Sequence, residues 1–238
     1  MNTLINKKIE VIDLGLSEYQ EAWDFQTTKF DATVSKKIQI RAGESGITEN
    51  FLIFCEHPHV FTLGKSGKES NLIIPKSDLS KINATYHHIN RGGDITYHGP
   101  GQLVVYPVLD LENFFTDIHQ YMRLLEEVVI RTVAEYGITA SRLPGMTGVW
   151  LDPDVPGRSR KICAMGVRTS RWVTLHGLAL NVNTDLNYFG YIVPCGISDK
   201  AVTSVQQETG KPVDMNEVKI ILLKHFLEIF GATEKVYG

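Results

Sequence analysis

The sequence predicts a mixed α/β fold (α+β), with sheets flanked by helices. Three observations carry this expectation: apolar, β-branched runs with strand character recur along the chain, at least two segments repeat apolar residues at helical spacing, and no linker composition separates them. In chain order, SEYQ at residues 17–20 has the spacing of a helix-capping box and precedes a helix of about four turns. NFLIFCEH, residues 50–57, reads as a buried strand. The glycine-rich RGGDITYHGPGQ, residues 91–102, runs into the apolar LVVYPVLDL, a further strand. From Ile118, the positions Tyr121, Met122, Leu125, Val128, Val129 and Val133 recur at helical spacing, and Gly137 closes that helix. LDPDVPGRSR, residues 151–160, is the most loop-like insert. Residues 161–184 read as two strands joined near 169–171, because β-branched residues and alternation dominate both sides. DMNE, residues 214–217, caps a last helix carrying Val218, Ile221, Leu222 and Ile229, with Gly231 after it.

Composition narrows the function. With 238 residues and 43% hydrophobic content the chain has enough apolar material for a core, and a single domain over 1–238 is expected. No segment reaches the roughly 18 apolar residues of a membrane span, and MNTLINKKIEVIDLG lacks the apolar centre of a secretory signal, so a cytoplasmic protein without a membrane partner is expected. Cys55, Cys163 and Cys195 form no CxxC pair and leave one thiol over in any single disulfide, which suits a reducing compartment. A net charge of -3 supplies no global cationic field for nucleic acid. Residues 155–184 nevertheless contain no Asp or Glu while carrying Arg158, Arg160, Lys161, Arg168 and Arg171. That tract is either a solvated face or a landing area for an acidic protein.

The glycine-rich stretch matches neither GxGxxG nor GxxxxGK[ST], and it leads into a strand rather than a helix, which argues against a nucleotide P-loop. Its glycines either serve hairpin bends or let the backbone approach an elongated ligand. Cys55, His57 and His59 alternate, but Pro58 interrupts them and no fourth ligand is evident, so no metal is expected. His87 and His88 point to opposite sides of a strand and suggest no joint site.

RGGDITYHGPGQLVVYPVLDL, TGVW, KICAMGVR, HGLALNV and YIVPCGI, in this order, resemble the lipoyl(octanoyl) transferase family of lipoate biosynthesis, over about His57 to Cys195. The resemblance implies a fold similar to that of biotin and lipoate protein ligases. It implies transfer of an octanoyl group from octanoyl-acyl carrier protein to a lysine of lipoyl domains, those of 2-oxoacid dehydrogenase complexes and the glycine cleavage H protein. The route is a cysteine-bound acyl intermediate that needs no ATP or other cofactor. Cys195 in YIVPCGI matches the acyl-carrying cysteine and Lys161 in KIC the family's lysine. Three walls of the acyl site are implied: Arg91, Gly92, Gly93, Asp94, Ile95, Thr96, Tyr97 and His98; then Ala164, Met165 and Gly166; then Gly177, Leu178 and Ala179.

Residue chemistry agrees with these roles. A thiolate exchanges readily with a thioester, and the enzyme thioester stays reactive toward an amine. An ammonium near the thiol favours thiolate, and a neutral lysine accepts a proton from the incoming amine. On residue type alone, Cys195 reads as a small buried hydrophobe and Lys161 as a strand-end lysine; the motifs reverse both preferences. His98 and His176 either hydrogen-bond to substrate or shape the site, and a Cys–His pair is the runner-up mechanism. Asp94 stands in RGGDITYH where an uncharged side chain serves equally well, and the Asp-Pro-rich insert precedes Lys161; both bear on substrate selectivity and the shape of the entrance, and neither removes a candidate catalytic residue. Two other readings stand beside this one. An ATP-dependent lipoate or biotin ligase would favour an arginine pair before three glycines, whereas a single Arg91 precedes two glycines here. A catalytically silent carrier-binding module would not need Cys195 together with Lys161.

Overall fold

The structure is a computed structural model that describes residues 5–193 and 201–236. Among the described residues, a nine-stranded sheet runs in the order β12 (Thr233–Glu234), β1 (Lys8–Leu16), β2 (Asn50–Glu56), β6 (Gln102–Val108), β10 (Val173–Asn181), β9 (Arg160–Ser170), β8 (Met146–Leu151) and β7 (Ser141–Leu143), with β11 (Ala201–Val202) paired to β9. A second sheet places β3 (Val60–Leu63) between β4 (Thr85–His88) and β5 (Ile95–His98).

The central strands are covered on both faces, which explains their nearly unbroken apolar sequence. Ala22 and Phe30 of α1 (Tyr19–Arg41) pack with Ile53, Val104 and Leu175. Tyr121, Leu125 and Val129 of α2 (Ile118–Ala134) join Leu222 and Phe226 of α4 (Met215–Phe230) against Leu103, Val105 and Leu178. Helices α2 and α4 match the predicted periodicity. Asp117 caps α2, with Gly137 left-handed just beyond its end, and Asp214 and Gly231 bracket α4. A short helix, α3 (Val205–Thr209), falls between β11 and α4. Among the described residues, no helix is long and apolar enough to cross a membrane.

Helix α1 differs from expectation. It is 23 residues long, well beyond four turns, and no side chain caps its start. Ser17 instead uses its backbone: its N–H donates to the Glu56 carbonyl at 2.9 Å and its carbonyl accepts from His57 Nδ1 at 2.8 Å. The length was hidden because Gln26, Thr33 and Lys37 occupy the buried stripe beside Tyr19, Ala22 and Phe30. Each polar member has a task. Gln26 Oε1 accepts from the His176 N–H at 2.9 Å, and the Lys37 ammonium is paired with Asp110 and lies 3.1 Å from Glu112.

The basic tract is also rearranged. Arg160 and Arg168 stand at opposite ends of β9, roughly 27 Å apart at strand rise. Arg160 is further neutralised by Glu208 at 2.6 Å and by Asp152. The expected contiguous landing area around Arg158, Arg160, Arg168 and Arg171 is therefore not formed, because extended geometry separates what sequence places together.

Asp110 is the acceptor on which the buried Lys37 depends, and it also accepts from Thr48 at 2.8 Å. Removing Asp110 leaves the buried ammonium with only the partly exposed Glu112, 3.1 Å away. Asp110→Ala is expected to lower the unfolding free energy by about 3–5 kcal/mol in urea titration; a loss below about 1 kcal/mol would show that Lys37 finds another partner.

Candidate active site

The site begins with missing side chains. On the β9–β10 pair, Ala164 lies opposite Ala179 and Gly166 opposite Gly177. A methyl group at Gly177 would collide with the Val105 carbonyl and lie 2.6 Å from Pro107, while one at Gly166 would lie 2.7 Å from the Gly92 carbonyl. Glycine at 166 lets the loop at residues 91–94 settle onto β9, where the Gly92 N–H donates to Val167 at 3.2 Å. The loop is a wall laid on a sheet, as a close backbone approach requires.

The result is a cavity of about 110 Å³. Arg91, Gly93, Asp94, Ile95, Thr96 and His98 line it from the loop and β5; Ala164, Met165 and Gly166 from β9; Gly177, Leu178 and Ala179 from β10. Two expected wall residues do not line it. Gly92 bonds back to β9, and Tyr97 is committed elsewhere, with its hydroxyl 2.8 Å from His59 Nδ1 and its ring stacked on Tyr188 at 5.0 Å. Tyr19, Val104, Tyr106, Met146, Trp150, Phe189, Ala201 and Val202 line the cavity without having been singled out. Trp150 had a signal, since it ends the TGVW motif. Tyr19 had none.

Lys161 also lines the cavity, with its ammonium 4.5 Å from the centre of the Trp150 ring, a cation–π contact. Gly148 lies beside it: an added methyl would touch Lys161 Cε at an ordinary 3.6 Å but collide with the Cys163 carbonyl at 2.6 Å. Gly148 is fixed in turn by Glu126, a fully buried carboxylate on α2 that accepts from its N–H at 3.1 Å and from Arg123 and Arg142 at 2.8 and 3.1 Å. Sequence held a clue to this support, since Glu126 falls inside the apolar stripe of α2.

Histidines furnish another part of the lining. His98 donates from Nδ1 to Gln102 Oε1 at 2.8 Å, and His176 donates from Nε2 to Asn90 Oδ1 at 2.9 Å. Burial pushes both imidazoles down to about 3, helped at His98 by His57 and Arg91 and at His176 by Arg91 and Arg168. Both are neutral near pH 7 and are weak bases there. His176 also holds a left-handed backbone, φ 63°, which for a side chain other than glycine is strained. Arg91 binds the Thr62 carbonyl at 2.8 Å and the Gly92 carbonyl at 3.0 Å, bracing the loop.

Cys55 and Cys163 are both fully buried, and burial pushes their thiols well up, so neither supplies thiolate. Cys195 lies outside the described residues. Its chain neighbours on both sides reach the cavity: Phe189 before it, and Ala201 and Val202 after it. Val202 pairs with Lys161 in register, and the Thr203 N–H donates to the Lys161 carbonyl at 2.9 Å.

Over residues 18–227 the sequence matches the lipoyl protein ligase A/B catalytic domain family. Octanoyltransferases of Cytophaga hutchinsonii and Christiangramia forsetii are 58% and 59% identical over 233 residues, which is 97% of this chain and 96% and 99% of theirs. The backbone is similar to that of an archaeal bi-partite lipoate protein ligase from Thermoplasma acidophilum, with TM-score 0.70 at 17% identity over 98% of this chain and 87% of that one. It is also similar to the Aquifex aeolicus biotin protein ligase, with TM-score 0.50 at 16% identity over 94% and 71%. These structural likenesses bear out the expected fold. With a family match across most of its length and relatives this similar over nearly all of it, the chain belongs to the lipoyl protein ligase A/B catalytic domain family.

Proposed function

We propose that this chain is an octanoyltransferase acting as one catalytic domain over residues 1–238 in the cytoplasm. It moves an octanoyl group from octanoyl-acyl carrier protein to a lysine of lipoyl domains, including those of 2-oxoacid dehydrogenase complexes and the glycine cleavage H protein. The observation that carries this reading is the small-residue cavity lined by Lys161, with both chain flanks of Cys195 meeting it, in a chain 58–59% identical to octanoyltransferases.

The chemistry follows from a thiol, an amine and a narrow apolar channel. The Cys195 thiolate attacks the carbonyl carbon of the donor thioester, and the collapsing adduct expels the carrier's thiolate, which takes a proton from the Lys161 ammonium. The octanoyl chain then lies between the loop and the β9–β10 floor, where Ala164, Gly166, Gly177 and Ala179 leave room beside the backbone. The lysine amine of the acceptor attacks the enzyme thioester, neutral Lys161 takes the proton that the amine sheds, and the Cys195 thiolate departs. Trp150 holds the ammonium of Lys161 in place before the first half-reaction and again after the second, once the proton has returned. His98 and His176, kept neutral and already bonded to Gln102 and Asn90, support a shaping role better than a Cys–His pair. An ATP-dependent ligase gains no support from Arg91, whose guanidinium is spent on Thr62 and Gly92.

Cys195→Ser is expected to abolish octanoyl transfer to a lipoyl domain, while Cys55→Ser and Cys163→Ser retain it. Transfer lost only in Cys163→Ser would contradict the assignment. Lys161→Ala is expected to keep the fold but slow transfer by about tenfold or more, and Lys161→Arg not to restore it, since guanidinium does not give up its proton. Unchanged steady-state rates in both variants would remove Lys161 from the mechanism.

A further inference from the structure

Asp94 is the one acidic residue in the glycine-rich wall, and nothing in acyl binding calls for it. Both oxygens of its carboxylate are engaged. Oδ1 accepts from the Ile95 N–H at 2.7 Å, and Oδ2 accepts from the side-chain amide of Asn71 at 2.6 Å. Asn71 has a second bond. Its backbone carbonyl accepts from the Val193 N–H at 2.8 Å, within a short antiparallel pairing in which Leu72 faces Ile192 and the Ile73 N–H donates to Tyr191 at 2.8 Å. Val193 stands two residues before Cys195 in the chain.

We propose that Asn71 is a positioning residue for acyl transfer, holding Asp94 of the acyl wall with its side chain and the approach to Cys195 with its carbonyl. This rests on the reading of Cys195 as the nucleophile. The bond to a carboxylate is charge-assisted and directional, so it ties the two segments in one register. Reaction rate is sensitive to that register, since a misplacement of about 1 Å costs as much as a hundredfold. Stability is less sensitive. Asn71 and Asp94 are both partly exposed, so water satisfies the amide and the carboxylate when the bond is broken.

The test separates position from folding. Asn71→Asp sets two carboxylates against each other, whereas Asn71→Asp with Asp94→Asn rebuilds the bond with donor and acceptor exchanged. Single-turnover octanoylation from octanoyl-acyl carrier protein, followed by intact mass, is expected to fall about tenfold or more in the single variant and to recover most of that loss in the double variant. KM for the donor should stay within about twofold, since the cavity itself is kept. Wild-type octanoylation in Asn71→Asp, or a double variant as slow as the single one, overturns the proposal. If Asn71→Asp does not fold, Asn71→Ser carries the same test: a similar fall supports the relay and a wild-type rate overturns it. Cys195→Ser is run alongside. An adduct that persists there overturns the nucleophile and the proposal with it. An adduct lost there but formed at the wild-type rate in the Asn71 variant overturns the proposal alone.

Discussion

The architecture depends on one steric constraint: three stretches of backbone approach so closely that a single methyl group would not fit between them. Gly177 faces the Val105 carbonyl, Gly166 faces the Gly92 carbonyl, and the loop at residues 91–94 rests on β9 because of it. A side chain at either glycine would lift the wall off the floor. The cavity is thus defined by missing atoms, and its apolar character follows from the alanines and the methionine that continue the same strands.

Polar groups do a different job, holding the apolar parts in register. Gln26 on α1 binds the backbone of His176, Glu126 on α2 binds the backbone of Gly148 beside Lys161, and Asn71 joins the loop to Val193. Each spans a boundary between elements that hydrophobic packing alone would leave free to slide. At Gln26 and Glu126, both fully buried, directional bonds to backbone N–H groups fix such boundaries because an unmatched buried group is costly. Gly148 beside Lys161 and His176 of the cavity lining are therefore held by residues that do not line the cavity.

Much of this was legible in sequence, and the omissions have physical causes. Helix α2 followed from apolar spacing and Gly137, α4 from apolar spacing and its Asp214 cap, and β2 from an unbroken apolar run. The full length of α1 was not legible, since Gln26, Thr33 and Lys37 are buried by hydrogen bonds and ion pairs rather than by hydrophobicity. The wall motifs identified most of the cavity lining, yet Tyr97, inside the same motif, turns to the His59 and Tyr188 rings. Composition misled at the basic tract, where contiguity in sequence became separation along a strand. The support at Asn71 bonds to a group 23 residues away, a distance over which local pattern carries no information; Glu126 showed in the apolar stripe of α2, but its partner 22 residues on did not.

The central claim is that an apolar cavity beside Lys161 receives an octanoyl chain on a thiol of this protein. Intact-mass measurement of the purified chain, after mixing with octanoyl-acyl carrier protein and no nucleotide, addresses it most directly. The account predicts a gain of one octanoyl group, removed by hydroxylamine as a thioester is. A chain that stays unmodified there and acquires acyl chemistry only with free octanoate and ATP would contradict it.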